Sequence, residues 1–339
     1  MCRLATCLLR CMARKVSEPR TGDRDAPNGS ESRQTCDMDE PGTQVDAATM
    51  ERWAGFALHI RTYSGVLAEV TVPSEGTPFA RADNLYPSES ISQWCREGLR
   101  SALEHLGVWA DHAVPLQQFE GQVVQHSGFR WSFTLMRAAL EGAAQSLWLS
   151  SSSNSHEAMA RLVRMVRHDL GEQATAWTAI GRDTATVLAR LARHEDAAAQ
   201  LVEHGKDTPR LPAMVDLVKS GASGCGLDAG LYEGHWRVCS AAAHGKDWAI
   251  QELQTFTGQG EEWRPGQFHL NGHVDPAKLT EVLSDTLDLT MGATRRYLDR
   301  AFTGDQTALV RRMMLTAARA TPQKDGGAMI ERMAKEWGL

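Results

Sequence analysis

No stretch of about 18 apolar residues occurs in this sequence, so a helix that crosses a membrane is not expected. The apolar start Leu4–Leu9 is cut by Arg10. It falls short of the roughly 7–15 residues of a secretory h-region, and no convincing small-residue cleavage site follows. Paired cysteines are scarce too. Of the seven, Cys2, Cys7, Cys11 and Cys36 lie near the start, and Cys95, Cys225 and Cys239 are scattered. That pattern implies no disulfide framework and fits a reducing cytoplasm. The spacing Cys2-x4-Cys7-x3-Cys11 matches no common zinc knuckle.

Catalytic signatures are missing as well. There is no nucleophile elbow, no HExxH and no Ser/His/Asp signature. Gly221–Gly226 (GASGCG) is neither GxGxxG nor a P-loop, because it lacks the spacing and the terminal Lys-Ser/Thr. A basic excess is absent: the formal net charge is -6. This removes any electrostatic signal for DNA and leaves only local basic patches. Arg far outnumbers Lys, which is the usage of a GC-rich coding sequence. The stripe Arg161, Arg164 and Arg167 reads first as a solvated helix face and second as a patch for an acidic partner.

What is present is an ordinary globular composition, 42% hydrophobic and 23% charged over 339 residues. Residues 1–45 form an expected disordered tail, because Ser17–Gly42 has too few apolar residues to offset the entropy of ordering. Residues 46–339 then read as a single helical domain. Helical spacing of apolar residues marks Asp46–Val72 and Ile91–Val114, the latter opened by a Ser90/Gln93 capping box. Phe129–Leu149 is apolar nearly all round and is expected to be central. Its charged residues after Arg130 are Arg137 and Glu141, four apart on one face.

A long helical region from His156 to about His204 follows, with breaks suggested near Gly171 or Gly181. Ala213–Lys219 is a short helix, and Ser74–Pro87 and Gly221–Gly226 read as loops. Trp248–Thr257 and Glu262–Asn271 alternate around Gly258–Gly260 as a small β-hairpin. Asp275-Pro276 opens a helix to about Phe302 with Asp as N-cap and Pro at N1. Asp305–Arg319 and Ala328–Trp337 finish the chain. The expected fold class is all-α: a helical bundle of about seven to nine helices, with room for one small β-hairpin near residues 248–271.

The chemically richest stretch is Leu231–Trp248, LYEGHWRVCSAAAHGKDW. On a helix from about Ala229 to Ala243, Arg237 and His244 share a face about 10.5 Å apart along the axis, with Ser240 between them. Gly245 suits a left-handed C-terminal position, so His244 stands where the helix dipole favours an imidazolium. Arg237, Ser240 and His244, with Glu141 and Arg137 from the apolar helix, are the candidate site residues.

The R-x6-H arrangement on a late helix, together with Arg137–Leu149 and Tyr232–Gly245, resembles the HEPN superfamily of helical bundles. That resemblance implies a metal-independent endoribonuclease or an RNA-binding derivative of toxin or defence type, often dimeric, that needs no cofactor. It implies that Arg237 steadies phosphate charge and that His244 is the acid/base on the attacking 2′-OH or the leaving oxygen. Two other readings stand beside it. In one, Glu141 pairs with Arg237 or His244 as a buried polar network that fixes helix register, Arg137 belongs to the same network, and the protein binds a protein partner or small molecule without catalysis. In the other, His235 and Cys239, at i,i+4, hold zinc with help from Cys225 or His244.

Overall fold

The computed structural model describes residues 45–116, 130–203, 210–321 and 327–338. The expected tail (apart from Val45) and the connection expected at Leu116–Gly128 (apart from Leu116) lie outside them. Among the described residues there are twelve helices and one two-stranded antiparallel sheet. They are α1 (Ala47–Glu69), α2 (Pro78–Leu85), α3 (Ile91–Ala113), α4 (Arg130–Ser150), α5 (Ser155–Ala179), α6 (Ala185–Glu203), α7 (Met214–Gly224), α8 (Ala229–Ala243) and α9 (Asp247–Leu253). The hairpin β1 (Gln254–Arg264) and β2 (Gln267–Val274) follows, then α10 (Pro276–Ala301), α11 (Gln306–Ala320) and α12 (Ala328–Trp337). The fold is an all-α bundle with one small hairpin. None of the described helices is long and apolar enough to cross a membrane.

Side-chain caps set many of the starts. Asp46, Thr77, Ser90, Asn154, Asp228, Asp275 and Asp305 each accept a backbone N–H from the first turn of the helix they precede. Packing then places α4 at the centre, where it touches α3, α5, α7, α8 and α10. Phe133, Met136, Ala139, Leu140, Ala143, Ala144 and Leu149 are all buried along it, as its all-round apolarity requires. The crossing with α3 is close. A Cβ built on Gly142 would lie 2.5 Å from the Gly98 carbonyl oxygen, and one on Gly98 would lie 2.9 Å from the Gly142 oxygen.

Helices α1 and α10 run in the same direction side by side. Trp53 Nε1 donates to Thr280 Oγ1 at 2.8 Å near one end, and the Tyr297 hydroxyl donates to the Val70 carbonyl at 3.2 Å near the other. The buried Thr286, Thr290 and Thr294 of α10 each return their hydroxyl to the carbonyl four residues back. Polar groups on a core-facing helix thus cost little, because each is satisfied on its own backbone. A smaller apolar cluster joins Leu58 of α1 to Leu315 of α11 and Ile330 and Met333 of α12.

Three local expectations are corrected. Ser74–Pro87 is not all loop. Thr77 caps α2, Pro78 takes its first turn, and Phe79 is buried with its ring 5.8 Å from Tyr297. Proline there starts a helix instead of breaking one. Trp248–Thr257 is a strand only from Gln254 on: α9 occupies its first half, and the hairpin turns at Arg264–Gln267, with Gly266 at φ +76°. Gly258–Gly260 lie inside β1, where the register slips. Gly221–Gly224 belong to α7 instead of a loop, and Gly221 lets that helix approach α4, since a Cβ there would be 3.3 Å from Leu147. The helix count exceeds the expected seven to nine because of α2, α9 and a break at Gly181 (φ +69°).

Candidate functional site

Asp228 opens α8 by accepting the N–H groups of Gly230 (2.8 Å) and Leu231 (3.2 Å). Gly245, at φ +68°, closes it. The Lys246 N–H returns to the Ala241 carbonyl at 2.9 Å and the Gly245 N–H to the Ala242 carbonyl at 3.1 Å. These two bonds are a Schellman motif, which needs a residue tolerant of the left-handed region. Gly245→Ala is therefore expected to lower stability by about 1 kcal/mol. A thermal midpoint equal to the wild type would show that the turn tolerates a Cβ.

Between its ends, α8 is held on two sides. Toward α10, the Tyr232 hydroxyl donates to the Asp285 carbonyl at 2.9 Å and His235 Nε2 meets Asp285 Oδ2 at 2.8 Å. Toward α4, one carboxylate oxygen does most of the joining. Glu141 Oε1 accepts from Arg137 Nε at 2.9 Å and from Trp236 Nε1 at 2.9 Å. The Arg137 guanidinium lies 5.7 Å from the centre of the Trp236 ring, and its Nη1 is 3.1 Å from His244 Nε2. A guanidinium only donates, so His244 Nε2 is the acceptor and its proton sits on Nδ1. The partner of His244 is thus Arg137, not Arg237.

Arg237 goes elsewhere. It is exposed, and its Nε and Nη2 donate to Glu233 Oε1 at 2.9 and 2.7 Å. Glu233 Oε2 also meets Lys219 Nζ of α7 at 2.8 Å. The Glu233 carboxyl is held below its ordinary value by the hydrogen bonds from Lys219 and Arg237. Ser240 is half-buried and takes no part in these bonds. Of the five candidate residues, the fold therefore gathers Arg137, Glu141 and His244, and leaves Arg237 and Ser240 out. Glu141 pairs with Arg137 and Trp236, not with Arg237 or His244 as the sequence suggested.

Sequence reasoning missed Trp236, Glu233 and Lys219. Signals for two of them were present. A largely buried indole N–H needs an acceptor, and Glu141 was the carboxylate of the packing helix. Glu233 stands four residues before Arg237, the favourable order for a helical ion pair.

The zinc reading finds no support in the geometry. His235 is taken by Asp285, His244 by Arg137, and Cys239 is fully buried, with its thiol pushed up by desolvation. Among the described residues no three His, Cys, Asp or Glu side chains converge as a metal cluster.

No family model matches this chain, and neither a curated protein nor a solved structure does. None of the five candidate residues lines the cleft of about 310 Å³ between α4, α7 and α10, nor the groove of about 570 Å³ between α1 and α3.

Proposed function

We propose that this chain is a non-catalytic helical protein that binds a small molecule. In it, Arg137, Glu141, Trp236 and His244 act as a polar network that fixes α8 against α4. One observation carries this reading: the single Glu141 oxygen accepts from both Arg137 and Trp236, while Arg137 also occupies His244. A base engaged at Nε2 and an Arg237 clamped by Glu233 are poorly disposed to share a phosphate. A cytoplasmic location accords with Cys95, Cys225 and Cys239 being free thiols.

The second reading is the HEPN-like metal-independent endoribonuclease acting on RNA, as a homodimer. What favours it is that His244 is exposed and lies 3.1 Å from a guanidinium, so that cation and base meet at the surface. In this version Arg137 takes the phosphate-steadying role that the resemblance implied for Arg237. Incubation of labelled RNA with the protein in EDTA separates the two. The binding reading predicts no cleavage above buffer for wild type, His244→Ala or Arg237→Ala. EDTA-resistant cleavage that disappears in His244→Ala would establish the nuclease instead.

A further inference from the structure

The cleft between α4, α7 and α10 is built unlike the rest of the surface. It is lined by Leu147 and Trp148 of α4 and by Arg295, Arg296 and Asp299 of α10. The cleft is narrow because two helices meet it at glycines. Gly221 lies against Leu147, and a Cβ on Gly292 would stand 2.8 Å from Cys225 Sγ. At Gly224, by contrast, a Cβ would meet nothing within 4 Å, so that position opens onto free space at the cleft.

The charges there are unbalanced. Arg61, Arg137, Arg167, Arg237 and Arg312 each sit in an ion pair. Among the described residues, neither Arg295 nor Arg296 has a carboxylate within salt-bridge distance. Asp299, one helical turn on, is the natural partner for both, yet its Oδ1 accepts from Gln306 Nε2 at 3.1 Å. Behind them stands Arg300, four residues from Arg296, which donates to the Ser152 carbonyl. Like charges at this spacing on a helix repel. The Arg300 guanidinium is accordingly pulled below its ordinary value, by burial first and then by Arg296. Cys225 reports the same field: burial raises its thiol, and Arg296 and Arg295 oppose the rise.

Apolar side chains and unpaired guanidiniums lining one cleft suit a ligand with an anionic end and an organic body. Guanidinium forks match phosphate oxygens in pairs. A volume of about 310 Å³ is at the small end of ligand sites, and too small for a macromolecular strand. We infer that this cleft binds a small organic phosphate, with Arg295 and Arg296 on the phosphate and Leu147 and Trp148 against the organic part. The inference rests on the small-molecule reading above and adds its chemical class.

The test is calorimetric titration of the full chain with AMP, CMP and glycerol phosphate, and with adenosine as the uncharged control. At least one phosphate is expected to bind saturably at one site, and adenosine is not. Arg296→Ala is expected to raise Kd by about tenfold or more, because it removes a charge-assisted pair. Gly224→Leu keeps both arginines but fills the free space, and is expected to weaken binding as strongly. Both positions are exposed, so unchanged thermal midpoints would show that the fold is intact. Binding of none of the three phosphates overturns the inference. So does adenosine binding as tightly as AMP, or phosphate binding that survives Gly224→Leu. The RNA-cleavage assay reads the non-catalytic claim separately, so a cleft that fails to bind leaves that result standing.

Discussion

Gly142→Val is expected to destabilise the protein by about 3 kcal/mol, the upper end of what overpacking a core costs. The reason is geometric. A Cβ at this position would lie 2.5 Å from the Gly98 carbonyl oxygen and 3.3 Å from the Ala102 amide nitrogen. Both neighbours are backbone atoms of α3, so no rotamer change can relieve the clash. The helices must move apart, and every buried contact along α3 and α4 loosens with them. The reciprocal position has the same constraint, because a Cβ on Gly98 would meet the Gly142 oxygen. At the roughly 2–4 °C per kcal/mol of a 150–250-residue protein, an upper bound for this longer chain, the thermal midpoint should fall by up to about 6–12 °C. Gly107→Val is the control on the same helix α3, where an added Cβ meets nothing within 4 Å. If the two variants melt together, the close crossing is not what holds α3 to α4.

Glu141→Ala carries the second large effect, about 2 kcal/mol. Removing the carboxylate strips the acceptor from the Trp236 indole and leaves Arg137 without its counter-charge. Hydrogen bonds to charged groups contribute about 1.5–3 kcal/mol when buried. The value is set below that ceiling because Arg137 and Glu141 retain 27% and 24% of their side-chain exposure, so solvent screens part of the attraction. Glu141→Gln keeps an oxygen for Trp236 and should lose less than half as much. His244→Ala should cost less than Glu141→Ala, because the ring is exposed and holds on through one bond to Arg137. A Glu141→Ala protein that melts with the wild type would leave the network without a structural role.

Much of this architecture is written in local chemistry. Ser90, Asn154, Asp275 and Asp46 announce their helices by capping residues alone, and α8 begins and ends where Asp228 and Gly245 dictate. The all-round apolarity of α4 announces its central position. Short elements were hidden because their signals are ambiguous by nature. Pro78 can break a chain or begin a helix, and only the burial of Phe79 against Tyr297 decides in favour of α2. Glycines at Gly258–Gly260 suit a turn as well as an irregular strand, and the pairing of Glu262 with Phe268 settles the register.

The candidate site was half legible for a similar reason. Helical spacing fixes the face on which a side chain starts, not where a long one ends. Arg237 starts on the His244 face, but Glu233 lies one turn away and takes it. Arg137 reaches His244 from another helix, across 107 positions of sequence, and no spacing rule encodes that meeting. The cleft was invisible for a further reason. Arg295 and Arg296 read as two more arginines in an arginine-rich chain. Only the fold shows that Asp299 Oδ1 accepts from Gln306 and that neither arginine has an ion-pair partner among the described residues.

One carboxylate, Glu141, ties α8 to α4. A double-mutant cycle on Glu141→Ala and Trp236→Phe, read by chemical denaturation, probes this tie, since Phe keeps an aromatic ring but has no N–H to donate, and the packing lost with the smaller ring cancels in the cycle. The network predicts a coupling energy of about 1 kcal/mol or more between the two positions. Effects that add within about 0.3–0.5 kcal/mol would contradict it.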